Sequence, residues 1–71
     1  MNRINPEKLL QSKWTAVTPQ HKEKHFIVIE LLRGEQEQVT HCILQAVMTH
    51  REYTLDWTAL KNDATWRMGW K

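Results

Sequence analysis

Between Val39 and Leu60 the chain reads V-T-H-C-I-L-Q-A-V-M-T-H-R-E-Y-T-L-D-W-T-A-L. As one long strand it places Cys42, Leu44, Ala46 and Met48 on one face, and His41, Ile43, Gln45, Val47 and Thr49 on the other. A two-residue reversal at His50-Arg51 sets Met48 opposite Tyr53, so that Tyr53, Leu55 and Trp57 continue the same apolar row. A slip of one residue would expose the whole row, which fixes the pairing. His50-Arg51 lacks the Asn-Gly chemistry of a tight type I′ turn, and a longer loop is the alternative. Asp56 then reads as the N-cap of a short helical turn, Trp57 to Lys61, ending near Asn62.

The preceding residues supply partners for this strand. Asn5-Pro6-Glu7 is a helix start: a side-chain acceptor, a proline with preset φ and an acid at the positive dipole end. The helix is short, because Ser12 to Thr18 switches to alternation that puts Trp14 on the core side. Pro19 ends the pairing or leaves it at an edge. The charged segment Gln20 to Lys24 follows as a loop. His25 to Leu32 is the strongest strand signal, with Phe26, Val28, Glu30 and Leu32 on one face and His25, Ile27, Ile29 and Leu31 on the other. Arg33 to Gln38 is a polar reversal, with Gly34 free to take positive φ. At the far end Asp63 reads as a second, weaker cap before Ala64 to Met68, with Gly69 at the exit. That last piece is equally readable as a short final strand.

Strands in succession with short links imply an antiparallel meander. The expected fold is α+β and mainly β: about four strands, a short N-terminal helix and a short C-terminal helical turn. An SH3-like half-barrel is one form that such a sheet takes. The 71 residues make one domain, and a core this small rarely supplies more than about 3–5 kcal/mol of net stability. Cys42 is the only cysteine, so no disulfide supports it; with no signal-like N-terminus this places the chain in a reducing cytoplasm. No run approaches the length of a membrane span.

Four tryptophans in 71 residues are the compositional outlier. So small a core needs Trp14 and Trp57 as structure. Trp66 and Trp70 lie beside Arg67 and Lys71, and either close over an open sheet face or remain a contact surface. Lys13-Trp14-Thr15 together with Gln20 to His25, which holds Lys22 and Lys24, is the best nucleic-acid candidate, since cations hold phosphates and an aromatic face stacks a base. Glu23 dilutes it, and the formal net charge is only +2. His21 and His25 are spaced H-x-x-x-H without a third ligand, and the adjacent His41 and Cys42 point to opposite faces, so no metal site is expected. Cys42 falls on the core face, where burial raises a thiol's pKa. Asp56 and Asp63 have capping duties, and Glu30 fits a sheet edge or a cross-strand pair.

Ser12-Lys13-Trp14-Thr15-Ala16-Val17-Thr18-Pro19, Lys22 to Phe26, Asp56-Trp57 with Leu60-Lys61, and Trp66-Arg67-Met68-Gly69-Trp70 resemble a family of small bacterial tryptophan-rich proteins, a domain of unknown function. The match covers nearly the whole chain. The resemblance implies a cytoplasmic, single-domain bacterial protein and brings no activity, and of the four histidines only His25 falls in the family pattern. The expectation is a non-catalytic binding or adaptor module with no cofactor. It contacts a protein partner through Trp66, Arg67, Trp70 and Lys71, with Lys22 and Lys24 alongside. Single-stranded nucleic-acid binding and self-association through a strand edge or the tail are the alternatives.

Overall fold

The β-branched and aromatic run around Phe26 lies at the centre of a five-stranded antiparallel sheet. The computed structural model describes all 71 residues: β1 Lys13–Gln20, β2 Glu23–Arg33, β3 Val39–Ala46, β4 Glu52–Asp56 and β5 Trp66–Met68, in spatial order β4-β3-β2-β1-β5. The meander is as expected, but the strand count is five rather than four. The tail forms the extra strand, pairing Trp14 with Met68 and Ala16 with Trp66.

Neither expected helix is an α-helix; both are single 3-10 turns, Pro6–Lys8 and Trp57–Lys61. The first starts as the sequence implies, with Asn5 Oδ1 accepting from the Glu7 amide at 3.1 Å. It stops because Gln11, at φ 67°, turns the chain back and donates its amide to Val28 O at 2.8 Å. At the second turn Asp56 is the expected cap, its Oδ1 accepting from the amide and hydroxyl of Thr58 at 2.9 and 2.7 Å. Asp63 is not a cap. Asn62 Oδ1 accepts from the Ala64 amide at 3.0 Å, while Asp63 accepts from the N-terminal ammonium of Met1. No helix is long and apolar enough to cross a membrane.

Three connections differ from expectation, each for a local backbone reason. Gln20 to Lys24 is not a loop: His21 and Lys22 take φ 53° and 62° and reverse the chain alone, so Glu23 already belongs to β2. Both positive φ values match the hand of turn that suits twisted hairpins. In the β2–β3 turn the left-handed residue is Glu37, at φ 66°, rather than Gly34. Strand β3 ends at Ala46 instead of Thr49, and Val47 to His50 form the loop. His50 at φ 63° donates to Ala46 O at 2.9 Å. Tyr53 therefore faces Leu44, not Met48, and Met48 is exposed at the loop. The slide from Met48 to Leu44 is an even number of residues, so Cys42, Leu44, Tyr53 and Leu55 still share one face.

A bulge in β2 is the fourth correction. Val28 pairs with Leu44 but Glu30 with Ile43, leaving Ile29 as the extra residue. Beyond it the faces exchange. Leu31 instead of Leu32 packs against the core opposite Cys42, and Glu30 points to solvent. The sequence-based conflict of an acid in an apolar row is removed by this single inserted residue.

The inner face of the sheet carries the core: Trp14, Phe26, Val28, Cys42, Leu44 and Ala46, joined by Leu9 and Leu60 from the ends of the two 3-10 turns. Trp14 is buried as expected, and its indole nitrogen donates to Ser12 Oγ at 2.8 Å. Trp57 is half-buried against the same cluster with Lys61 Nζ 4.8 Å above its ring.

Candidate functional site

The two 3-10 turns cover only part of the inner face. The remainder is a groove of about 600 Å³ between β1, β4 and the Ala64–Trp66 segment, so residues from opposite edges of the sheet line one cleft. Its apolar surface comes from Ala16, Phe26, Leu44 and Leu55, with Tyr53 and Trp66 as aromatic walls. Phe26 meets Trp66 edge-on with ring centroids 5.3 Å apart, and Tyr53 edge-on at 6.1 Å. The sequence pattern put Leu44, Tyr53 and Leu55 on one face but did not place Ala16, Phe26 or Trp66 beside them. What it lacked was the curvature that brings Tyr53 and Trp66, from separate edges, around the same space.

Polar groups sit at the hairpin end of the groove: Gln20, His21, Glu23 and Arg51. Glu23 is the unexpected one. The two-residue turn carries it inward, where it is buried. One carboxylate oxygen accepts from the Thr49 hydroxyl and the other from the Tyr53 phenol. These bonds hold its carboxyl below the ordinary glutamate range against the opposing effect of burial, with Arg51 and His21 adding favourable charge. The same bond raises the Tyr53 pKa.

A depressed folded-state pKa contributes stability above the unfolded value that is lost as pH falls through the folded one. Acid unfolding followed by circular dichroism should therefore show a shallower loss of stability below pH ~4.5 in Glu23→Gln than in the parent. Superimposable acid limbs would contradict the coupling.

The tail is divided between the two faces of the sheet. Trp66 lines the groove, whereas Gly69, at φ 80°, redirects the chain so that Trp70 lies on the outer face. There the Trp70 indole donates to Phe26 O at 2.9 Å, with Lys13 Nζ 4.8 Å over the ring and His25 tilted beside it at 5.9 Å. Thr15 fastens this arrangement. Its hydroxyl donates to Gly69 O at 2.7 Å and accepts from the Lys71 amide at 2.9 Å. Trp70 nonetheless remains 43 % exposed.

The six residues expected to form one contact surface do not converge. Trp66 faces the groove, while Trp70, Lys71 and the exposed Arg67 belong to the outer side. Lys22 is at the tip of the β1–β2 hairpin and Lys24 is exposed in β2. His21 and His25 are likewise parted, one in the groove and the other against Trp70. The groove residues Phe26, Leu44, Tyr53 and Leu55 read as scaffold in the sequence, and Glu23 and Arg51 as loop and turn. The one hint in the sequence was the four tryptophans, a surplus of aromatics over what one sheet face holds.

Cys42 is fully buried, and burial, reinforced by the Asp56 charge, pushes its thiol up to about 11. The thiolate is the reactive form. At pH 7 Cys42 should resist a thiol-specific disulfide reagent in the folded protein and react promptly in urea; rapid labelling of the native protein would contradict its place in the core.

A family model described as Tryptophan-rich protein (DUF2389) matches residues 12–71. No curated protein and no solved structure is matched.

Proposed function

The chain belongs to this tryptophan-rich family of unknown function, and from that premise we propose that it is a non-catalytic binding module for a protein partner, with the groove as its contact site. The observation that carries the reading is the groove itself. At about 600 Å³ it is within the usual size of ligand sites, and it combines an apolar floor with a few polar groups at one end. Trp66, a residue of the expected tail surface, forms one wall. A groove walled by Tyr53 on β4 and Trp66 on β5 suits an extended polypeptide segment that lays apolar side chains against Phe26, Tyr53 and Trp66. The buried Glu23 and nearby Arg51 then give the partner's polar groups a fixed orientation. We place the protein in the bacterial cytoplasm, where a single buried thiol suits a reducing compartment.

Selection from a displayed random-peptide library tests this reading. The parent protein should enrich an apolar sequence pattern. Its binding should be lost in Leu55→Glu, which puts a charge into the groove, and kept in Trp70→Ala, which alters only the outer face. Retention in Leu55→Glu with loss in Trp70→Ala would move the site to the outer face, and failure to enrich any pattern would remove the reading.

Single-stranded nucleic acid is a second reading, supported by one arrangement: Lys13 over the exposed Trp70 ring, with Arg67 and Lys71 on the same side. A positive groove beside a stacking platform is what such binding uses. Indole shifts of Trp70 with oligothymidine at low salt would support it, and their absence would exclude it.

A further inference from the structure

The sheet has two edges, and the chain treats them differently. At β5 the outward backbone groups of Trp66 are already occupied: its amide donates to Asn62 O at 2.9 Å and its carbonyl accepts from Asn2 Nδ2, also at 2.9 Å. Strand β5 is also only three residues long. At β4 no such cover exists. Its one sheet neighbour is β3, and none of the backbone bonds outside the regular elements reaches residues 52–56. The bond from the Ala46 amide to Arg51 O, at 2.9 Å, sets the alternation along this pair. It turns the backbone of Tyr53 and Leu55 toward β3 and that of Glu52, Thr54 and Asp56 toward the free edge.

The side chains add two directions of selectivity. On the inner face Tyr53 and Leu55 open into the groove. On the outer face Glu52 and Asp56 put two exposed carboxyl groups on the edge strand, with Thr54 between them. Interactions from the Thr58 hydroxyl and amide keep the Asp56 carboxyl below its ordinary range, so this edge is anionic at neutral pH. Edge charges of one sign discourage a second copy: a two-fold axis through Thr54 would set Glu52 against Asp56 on both sides, and like charges directly opposite are destabilising. The same charges favour a strand with cations at those positions.

We infer that β4 accepts an extended basic–apolar segment of a partner protein as a sixth, antiparallel strand. The segment has the pattern cation–apolar–polar–apolar–cation. Its central residue pairs with Thr54, its apolar residues enter the groove beside Tyr53 and Leu55, and its cations face Glu52 and Asp56. Main-chain bonds supply attraction and the alternate side chains supply selectivity. This inference rests on the groove being the contact site and names what occupies it.

The probe is a blocked peptide with the core Lys-Val-Thr-Val-Lys, titrated into the 15N-labelled protein with hydrogen exchange read at the β4 amides. Binding should slow exchange of the Thr54 amide and shift the side-chain signals of Tyr53 and Trp66. N-methylation of the peptide's central residue should abolish it. Glu52→Lys should weaken the parent peptide on the order of fivefold, with recovery when the lysine opposite position 52 is exchanged for glutamate. Groove side-chain shifts with unchanged Thr54 exchange and no effect of N-methylation would overturn strand addition while leaving the groove reading intact. No response of either kind at millimolar peptide would overturn strand addition by this pattern, and the library selection then decides the groove reading separately.

Discussion

Trp14→Ala is expected to leave the protein unfolded in water at 25 °C. Trp14 is only 1 % exposed and sits among Leu9, Phe26, Val28 and Leu60 at the centre of the core. Truncating a buried tryptophan costs about 3–5 kcal/mol. A core of this size supplies a net stability of about the same magnitude, and no disulfide compensates, because Cys42 is the only cysteine. Circular dichroism should show loss of the sheet signal, with no cooperative urea transition remaining. Trp14→Phe retains much of the volume but loses the bond to Ser12 Oγ, and should stay folded with a lower urea midpoint. A cooperative, near-parental transition in Trp14→Ala would contradict the assignment of the core.

The second large effect belongs to Leu60. It is fully buried, although the element carrying it is one 3-10 turn at the surface. Such a turn has little stability of its own, so it is held by the Asp56 cap and by Leu60 inserted beside Trp14 and Cys42. Leu60→Ala should destabilise by about 2–5 kcal/mol, read as a fall in urea midpoint without a change in slope. Leu10→Ala, at a half-exposed leucine next to the first turn, should change stability by less than about 0.5 kcal/mol. Equal effects in the two variants would mean that the turn does not close the core.

Much of this fold was legible in the sequence, and the parts that were not share a cause. Alternation found the faces of β1 and β3, the burial of Trp14 and Cys42, and the Asp56 cap, because side-chain period and capping are local properties. The register between β3 and β4 was displaced from Met48 to Leu44. Hydrophobic pattern fixes parity but not which even step is taken, and the loop geometry at His50 decides the step. The β2 bulge at Ile29 was not legible either. Its signal was the acid Glu30 in an apolar row, a conflict that an extra residue resolves by exchanging faces. The hairpin turn at His21-Lys22 was hidden because the pair lacks the Asn-Gly signal of a two-residue turn and lysine is not a customary left-handed residue.

The candidate site was less legible than the fold. Trp66 and Trp70 were read as one surface because they are close in sequence, yet Gly69 sends them to opposite sides of the sheet. The groove depends on long-range closure between Tyr53 on β4 and Trp66 on β5, strands that are not neighbours. Glu23 enters it only through the turn that precedes it. Curvature and tight turns are collective properties of the chain, and a one-dimensional pattern carries them weakly.

The central claim is that a protein partner is held in the groove, on the side of Trp66 and away from Trp70. The four tryptophans provide the direct measurement, since each has its own indole N–H resonance once single Trp→Phe variants assign it. With a peptide selected on the parent protein present at saturation, the Trp66 signal should move, while those of Trp14 in the core and Trp70 on the outer face stay in place. Movement of Trp70 with Trp66 unchanged would contradict the account and assign the contact surface to the outer face of the sheet.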